Sequence, residues 1–213
     1  MVIVSEGLFL LHQKTDDRQL PTIDKICIFE PIDIFMPNTS AQFDSVIAIC
    51  RDLFQKKMKD YGTAWRVLRP SSITDQIYIK VNRIRTLQMT DVKMVDESEE
   101  DEFVAIINYS IIGLIQLEKG FSDEINANPD ETMRLYNFYA QKAKELMERK
   151  NHDYGEAWRE MRISSITDLI YQKVLRTKQI EDNNGATLVS EGLDANYFDM
   201  LNYAVFCLIK FKN

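Results

Sequence analysis

Residues 60–83 read DYGTAWRVLRPSSITDQIYIKVNR, and residues 153–176 read DYGEAWREMRISSITDLIYQKVLR. At an offset of 93 the two stretches are identical at 17 of 24 positions. Self-similarity of this kind marks a duplicated structural unit. It continues more weakly outward. Lys57 matches Lys150 ahead of the block. Behind it, at an offset of 94, Glu97 matches Glu191, Asn108-Tyr109 matches Asn202-Tyr203, and Leu114-Ile115 matches Leu208-Ile209. The 213 residues, about 1.4 domains by length alone, therefore divide into repeat 1 (36–119), a linker (120–130) and repeat 2 (131–213). Residues 1–35 have no counterpart in the duplication. Short strand-like runs such as Lys25 to Phe29 are confined to them. They read as an accessory segment or, preferably, as lying ahead of a translation start at Met36.

Each repeat is expected to contain three helices. The first spans Ala41 to Lys59, and Glu131 to His152 in the second copy. Asp60-Tyr61-Gly62 ends it, with Gly62 and Gly155 suited to a left-handed cap. The second helix should start after Ser71-Ser72, with Asp75 at capping-box distance, and run to Gln88; its twin starts after Ser164-Ser165 with Asp168. Asp75 and Asp168 read as plain caps. The third helix spans Glu97 to Lys119, and Glu191 to Lys212. Residues 89–96 and 181–190 read as polar loops.

Composition narrows the function. Seven glycines in 213 residues are about half of average usage, which disfavours glycine-built phosphate cradles and turn-rich β folds. Lys and Arg number 26 against 33 Asp and Glu, a net charge of −7. An acidic total argues against direct nucleic-acid binding, which needs a basic face. Cys27, Cys50 and Cys207 form no CxxC pair, and His12 and His152 have no catalytic motif around them. No apolar run reaches membrane-spanning length. The N-terminus MVIVSEGLFLLHQ lacks a basic region and is interrupted by Glu6, so a cytoplasmic protein is expected.

Helical wheels at about 100° per residue turn several polar groups inward. Lys80 falls in the stripe of Ile73, Ile77, Val81 and Ile84, and Lys173 in that of Ile166, Ile170 and Val174. Arg83 and Arg176 sit at the stripe's edge. A lysine inside a buried stripe needs a partner for its charge. On the third helix Glu97, Asp101 and Asn108 share the apolar face, as do Glu191, Asp199 and Asn202 in the second copy. The copies have diverged in a complementary way: Asp101 aligns with Ala195, and Asp199 with Ala105. Packed face to face, the surviving acids are expected to compose one asymmetric site. Lys57 and Asp60, with Lys150 and Asp153, lie near the first helix's apolar face.

Inward carboxylates on neighbouring helices can hold a divalent ion. An oxygen-only set, here Glu97, Asp101, Glu191 and Asp199, favours Mg²⁺ or Mn²⁺. Lys80, Lys173, Arg83 and Arg176 beside it suit phosphate charge. Tyr61, Trp65, Tyr154 and Trp158 could stack on a base. Against this stands a plainer reading, in which the inward pairs fix register and the aromatics are core anchors.

The pattern K-x-x-D-Y-G-x-A-W, then S-S-I-T-D-x-I-Y-x-K-V-x-R, then an acidic helix ending in N-Y, resembles the nucleotide modification associated domain family of bacterial and phage helical proteins. The resemblance covers about residues 40–119 and 131–213 and implies the handling of nucleotides. A more distant likeness is to the MazG-like all-α NTP pyrophosphatases, whose E-x-x-E and E-x-x-D pairs bind Mg²⁺. Glu97-Ser-Glu-Glu100 and Glu191-Gly-Leu-Asp194 share that spacing. Glu100 and Asp194, however, fall about 80° off the inward stripe. The first helix offers Asp52 alone, with Glu145 and Glu148 only in the second copy, so the likeness is architectural.

The expected fold is all-α: two tandem three-helix repeats packed as one pseudo-twofold bundle. The leading functional expectation is a nucleotide-binding protein performing Mg²⁺-dependent hydrolysis of a nucleoside triphosphate or related phosphoanhydride. Lys57, Asp60, Tyr61, Trp65, Asn108 and their counterparts Lys150, Asp153, Tyr154, Trp158 and Asn202 would contact substrate. The alternative is a non-catalytic binding or scaffold protein with structural ion pairs. Either is compatible with a homodimer, and neither involves a membrane.

Overall fold

The computed structural model describes residues 38–90, 92–123, 125, 127–186 and 191–212. The readings placed on residues 1–35, including His12, Cys27 and the run Lys25 to Phe29, and on Met36, lie outside these residues, as does part of the expected loop 181–190. Among the described residues six helices form: α1 (Thr39–Tyr61), α2 (Pro70–Thr90), α3 (Glu99–Lys119), α4 (Pro129–Tyr154), α5 (Ile163–Asp182) and α6 (Leu193–Phe211). Two short 3₁₀ turns, Ala64–Val67 and Ala157–Glu160, follow α1 and α4. The described residues belong to one unit, residues 37–213.

Local chemistry explains the helix boundaries. Asn38 and Asn128 cap α1 and α4, their side chains accepting from Ala41 N and from Asp130 N and Glu131 N. These caps start both helices two residues earlier than expected. α2 starts at Pro70 rather than after Ser72. Proline suits the first helical turn, where its missing N–H would have no intrahelical partner. The expected Ser72–Asp75 capping box does not form, and Asp75 instead pairs with Lys178 on α5. Asp168 likewise leaves the cap role and pairs with Arg85 Nε at 3.1 Å. Gly62 and Gly155 both end their helices at positive φ, 64° and 61°, each donating its N–H back to a carbonyl four residues earlier. Only Gly155 is fully left-handed, with ψ 35°; Gly62 opens to ψ −145°.

The core is a ring of four helices: α3 packs most extensively on α6, α2 on α3, α5 on α6, and α2 closes on α5. α1 and α4 lie against α3 and α6 and touch one another. Both central helices are apolar on nearly every side, with Phe103, Ile106, Ile107, Ile111, Leu114 and Ile115 buried on α3 and Met200, Leu201, Ala204, Val205 and Cys207 on α6. That is the pattern of a helix surrounded by others.

Reciprocal contacts give the pseudo-twofold relation physical content. Tyr78 and Tyr171, equivalent positions, stack on each other at 6.0 Å and 27°. Asp75 pairs with Lys178 while Arg85 pairs with Asp168. Lys178 Nζ and the Arg85 guanidinium each lie over the opposite copy's tyrosine, at 4.7 and 4.3 Å. Asn108 Nδ2 donates to Cys50 O, and Asn202 Nδ2 donates to the equivalent Ala143 O. The symmetry breaks at their oxygens. Asn108 Oδ1 accepts from the Tyr136 hydroxyl at 2.9 Å, whereas Asn202 Oδ1 is buried without a partner among the described residues. The position matching Tyr136 is Phe43, which has no hydroxyl to donate.

Cys50 and Cys207 are free and buried, and burial pushes the Cys50 thiol up to about 12. Among the described residues no helix is long and apolar enough to cross a membrane.

Candidate functional site

In the first repeat a cavity of about 310 Å³ opens between α1, α2 and α3. The sequence-derived candidates Lys57, Tyr61, Trp65, Lys80, Glu97, Asp101 and Asn108 all line it. Leu53, Phe54, Met58, Ala105, Tyr109 and Ile112 supply its apolar and aromatic walls. α1 delivers Lys57 and Tyr61 four residues apart, on one helical face, and the 3₁₀ turn after Gly62 swings Trp65 back against Phe54 at 6.4 Å. The Trp65 indole N–H is buried without a hydrogen-bond partner among the described residues, as is that of Trp158. Tyr61 is 54% exposed. Its hydroxyl is held above the ordinary tyrosine value by burial, then by Tyr109 and Asp60.

Glu102, which is not among the residues that the helical wheel turns inward, is the buried acid of this site, with only 1% of its side chain exposed. Arg83 Nη1 donates to its Oε1. The Lys80 ammonium lies 3.1 Å from its Oε2, in ion-pair contact but off the hydrogen-bonding direction. Arg83 also reaches Glu97, through its carboxylate at 3.3 Å and its backbone carbonyl at 2.9 Å. Asp101 turns back on its own helix end. Its carboxylate accepts from Ser98 N and Ser98 Oγ at 2.9 and 2.7 Å while Asp101 N donates to Ser98 Oγ, a complete capping box. Those two bonds hold the Asp101 carboxyl below its ordinary value. Lys57 is exposed and, among the described residues, makes no ion pair or hydrogen bond. Asp60 is exposed beside the site and does not line the cavity.

The second repeat resolves the same positions differently. Asp199 is 7% exposed and bridges two lysines: Oδ1 accepts from Lys150 Nζ at 2.6 Å, and Oδ2 lies 2.7 Å from Lys173 Nζ. Burial pulls the Lys150 ammonium down, but the hydrogen bond and charge of Asp199 outweigh it and raise the net value. Trp158 is buried and stacks flat on Phe206, with ring centres 4.3 Å apart and 4° between planes. Tyr154 is 73% exposed, Asp153 sits beside His152 on the surface, and Glu191 is exposed. Arg176, half-buried, forms no ion pair among the described residues.

The four acids expected to hold metal are thus not gathered into one centre. Glu97 and Asp101 border the first-repeat cavity, whereas Asp199 is committed to the lysines of its own repeat. Among the described residues no group of three or more His, Cys, Asp or Glu side chains is arranged to hold a metal ion. Glu102 had a signal in the alignment. It matches Asn196, while Ala105 matches Asp199, so each repeat keeps one acid at positions three apart on the same helical face.

The family described as Nucleotide modification associated domain 1 matches residues 57–117 and again 150–211. No curated protein matches the chain, and no solved structure does.

Proposed function

Because the chain belongs to the Nucleotide modification associated domain 1 family, in two copies, we propose that it is a non-catalytic helical protein that binds a nucleotide or nucleotide-like small molecule in the first-repeat cavity. The observation that carries this reading is the convergence of Lys57, Tyr61, Trp65, Lys80 and Asn108 on one opening. Its volume, about 310 Å³, is at the lower end of small-molecule sites, and its mix of aromatic wall and few polar groups is their usual composition. Trp65 and Tyr61 offer faces for a flat ring, and Lys57 offers a cation that pairs with no carboxylate among the described residues. The buried acids are engaged in ion pairs, Glu102 with Arg83 and Lys80, and Asp199 with Lys150 and Lys173. This leaves them a structural role.

Calorimetric titration of the full chain with nucleosides, nucleoside monophosphates and nucleoside triphosphates, with and without Mg²⁺, tests the proposal. Binding without turnover, weakened by Trp65→Leu and unaffected by Tyr154→Ala, is the expected result. The absence of both heat and thermal shift with every compound sinks it.

The second reading is Mg²⁺- or Mn²⁺-dependent hydrolysis of a phosphoanhydride, related to MazG-like pyrophosphatases. It is favoured by one observation: Glu97 and Asp101 border the same cavity as Lys80. In it these acids would hold the ion, and Asp101 would exchange the Ser98 hydroxyl for it. Lys80, which lines the same opening, and Arg83, which holds Glu97, would supply positive charge beside it. Mg²⁺-dependent phosphate or pyrophosphate release that is lost in Glu97→Gln at unchanged stability would favour this reading over the first.

A further inference from the structure

We infer that the first repeat binds an anion, a carboxylate or the oxygens of a phosphate, between the Lys57 and Lys80 ammonium groups, in the position that the Asp199 carboxylate takes in the second repeat. This deepens the proposed function and rests on its reading of the cavity. The duplication supplies the internal comparison. Lys150 and Lys173 are the counterparts of Lys57 and Lys80, and both close on Asp199, at 2.6 and 2.7 Å. The counterpart of Asp199 is Ala105, a methyl group on the cavity wall beside Lys57 and Lys80.

Among the described residues Lys57 forms no ion pair with a carboxylate. Asp101 is occupied by Ser98, and Glu97 and Glu102 are both held by Arg83. Lys80 is a quarter exposed and meets Glu102 only off the hydrogen-bonding direction. An incoming carboxylate or phosphate can therefore accept charge-assisted bonds from two ammonium groups, as Asp199 does.

A second substitution points the same way. Phe206 lies flat on Trp158 in the second repeat, and its counterpart is Ile112, which borders the cavity together with Trp65. Thus a carboxylate on two lysines and a ring on a tryptophan belong to the chain itself in repeat 2. In repeat 1 the matching positions carry smaller side chains around a cavity. The ligand class this describes is a small planar ring bearing a carboxylate or phosphate, bound once per chain.

The test uses the full chain in sodium chloride at fixed ionic strength, titrated with inorganic phosphate and, separately, with acetate. Thermal shift and calorimetry are the readouts. At least one anion should stabilise saturably with one site per chain. Lys57→Gln should weaken it about tenfold or more, the worth of one charge-assisted bond. Ala105→Asp, which transplants the carboxylate, should abolish it. Should Ala105→Asp fail to fold, Lys57→Gln decides alone, since it removes an exposed side chain that forms no ion pair among the described residues. No saturable effect of either anion, an effect surviving in Lys57→Gln, or two sites per chain overturns the inference. Failure of the nucleotide reading looks different: phosphate or acetate binds as described, and nucleotides bind no more tightly.

Discussion

Replacing Glu102 by Gln tests whether the buried acid of the first repeat is structural. The substitution keeps the shape and removes the charge. Glu102 is 1% exposed and serves two cations, Arg83 and Lys80, themselves 22% and 25% exposed. Removing one partner from a fully buried ion pair costs about 3–5 kcal/mol, and an exposed pair is worth about 0–1. The two cations keep partial access to water, so the cost lies between. Exchanging a charge-assisted bond to Arg83 for a neutral one loses about 1 kcal/mol. Lys80 loses its carboxylate and faces an amide, at a further cost of about 1–2 kcal/mol. The expected total is about 2–3 kcal/mol. With a urea m-value of about 2 kcal/mol/M, the unfolding midpoint falls by about 1–1.5 M. The double variant Glu102→Leu/Lys80→Met should recover only the Lys80 share of the loss, because Arg83 still loses Glu102 and keeps Glu97 alone. A midpoint shift below about 0.2 M for Glu102→Gln, with unchanged m, would refute the structural role of this ion pair.

Three further outcomes follow from other parts of the fold. A Cβ on Gly113 would stand 2.6 Å from the ring of buried Tyr197, so Gly113→Ala should destabilise by about 1–3 kcal/mol net of its helix-propensity gain. Thermal unfolding checks this, with Tyr197→Leu expected to relieve the variant. Glu181, half-buried and accepting a bond from Thr74, has its carboxyl raised above 4.5 by burial, which outweighs the Thr74 bond and is reinforced by Asp75 and Asp182. A raised carboxyl supports the fold fully below the unfolded value and less as pH rises through the folded one. Glu181→Gln should therefore match wild type near pH 4 and become relatively more stable as pH rises, read as the difference of two stability–pH curves. Ser98→Ala and Asp101→Ala should each cost about 1 kcal/mol. The pair together should cost little more than either alone, because one capping box is broken in all three; urea unfolding measures the cycle.

The duplication and the inward position of Lys80 and Lys173 were legible before any coordinates. The repeat is written in identities, and a lysine among isoleucines at helical spacing is one stripe on α2 and on α5, whose other faces are polar. The partners of those lysines were less legible. A wheel with a single apolar face for α3 turns Asp101 inward and passes over Glu102. α3 is buried on almost every side, from Phe103 through Ile107 to Ile115, so its hydrophobic pattern has no phase that singles out one acid. The capping box that takes Asp101 depends on α3 beginning at Glu99, and boundary shifts of two residues are invisible to periodicity.

What the sequence determined by itself is the all-α class, the two copies and the set of charged groups that had to find partners, because identity and helical period are local properties of the chain. Which carboxylate met which lysine was decided only by packing. Glu102 and Asp199 stand three positions apart on matching helices. That single turn sets whether a lysine pair closes on an acid of its own repeat or borders a cavity. The distinction depends on how α1 and α2 converge on α3, and α4 and α5 on α6. Neighbours that far apart in the chain meet only once the core has formed.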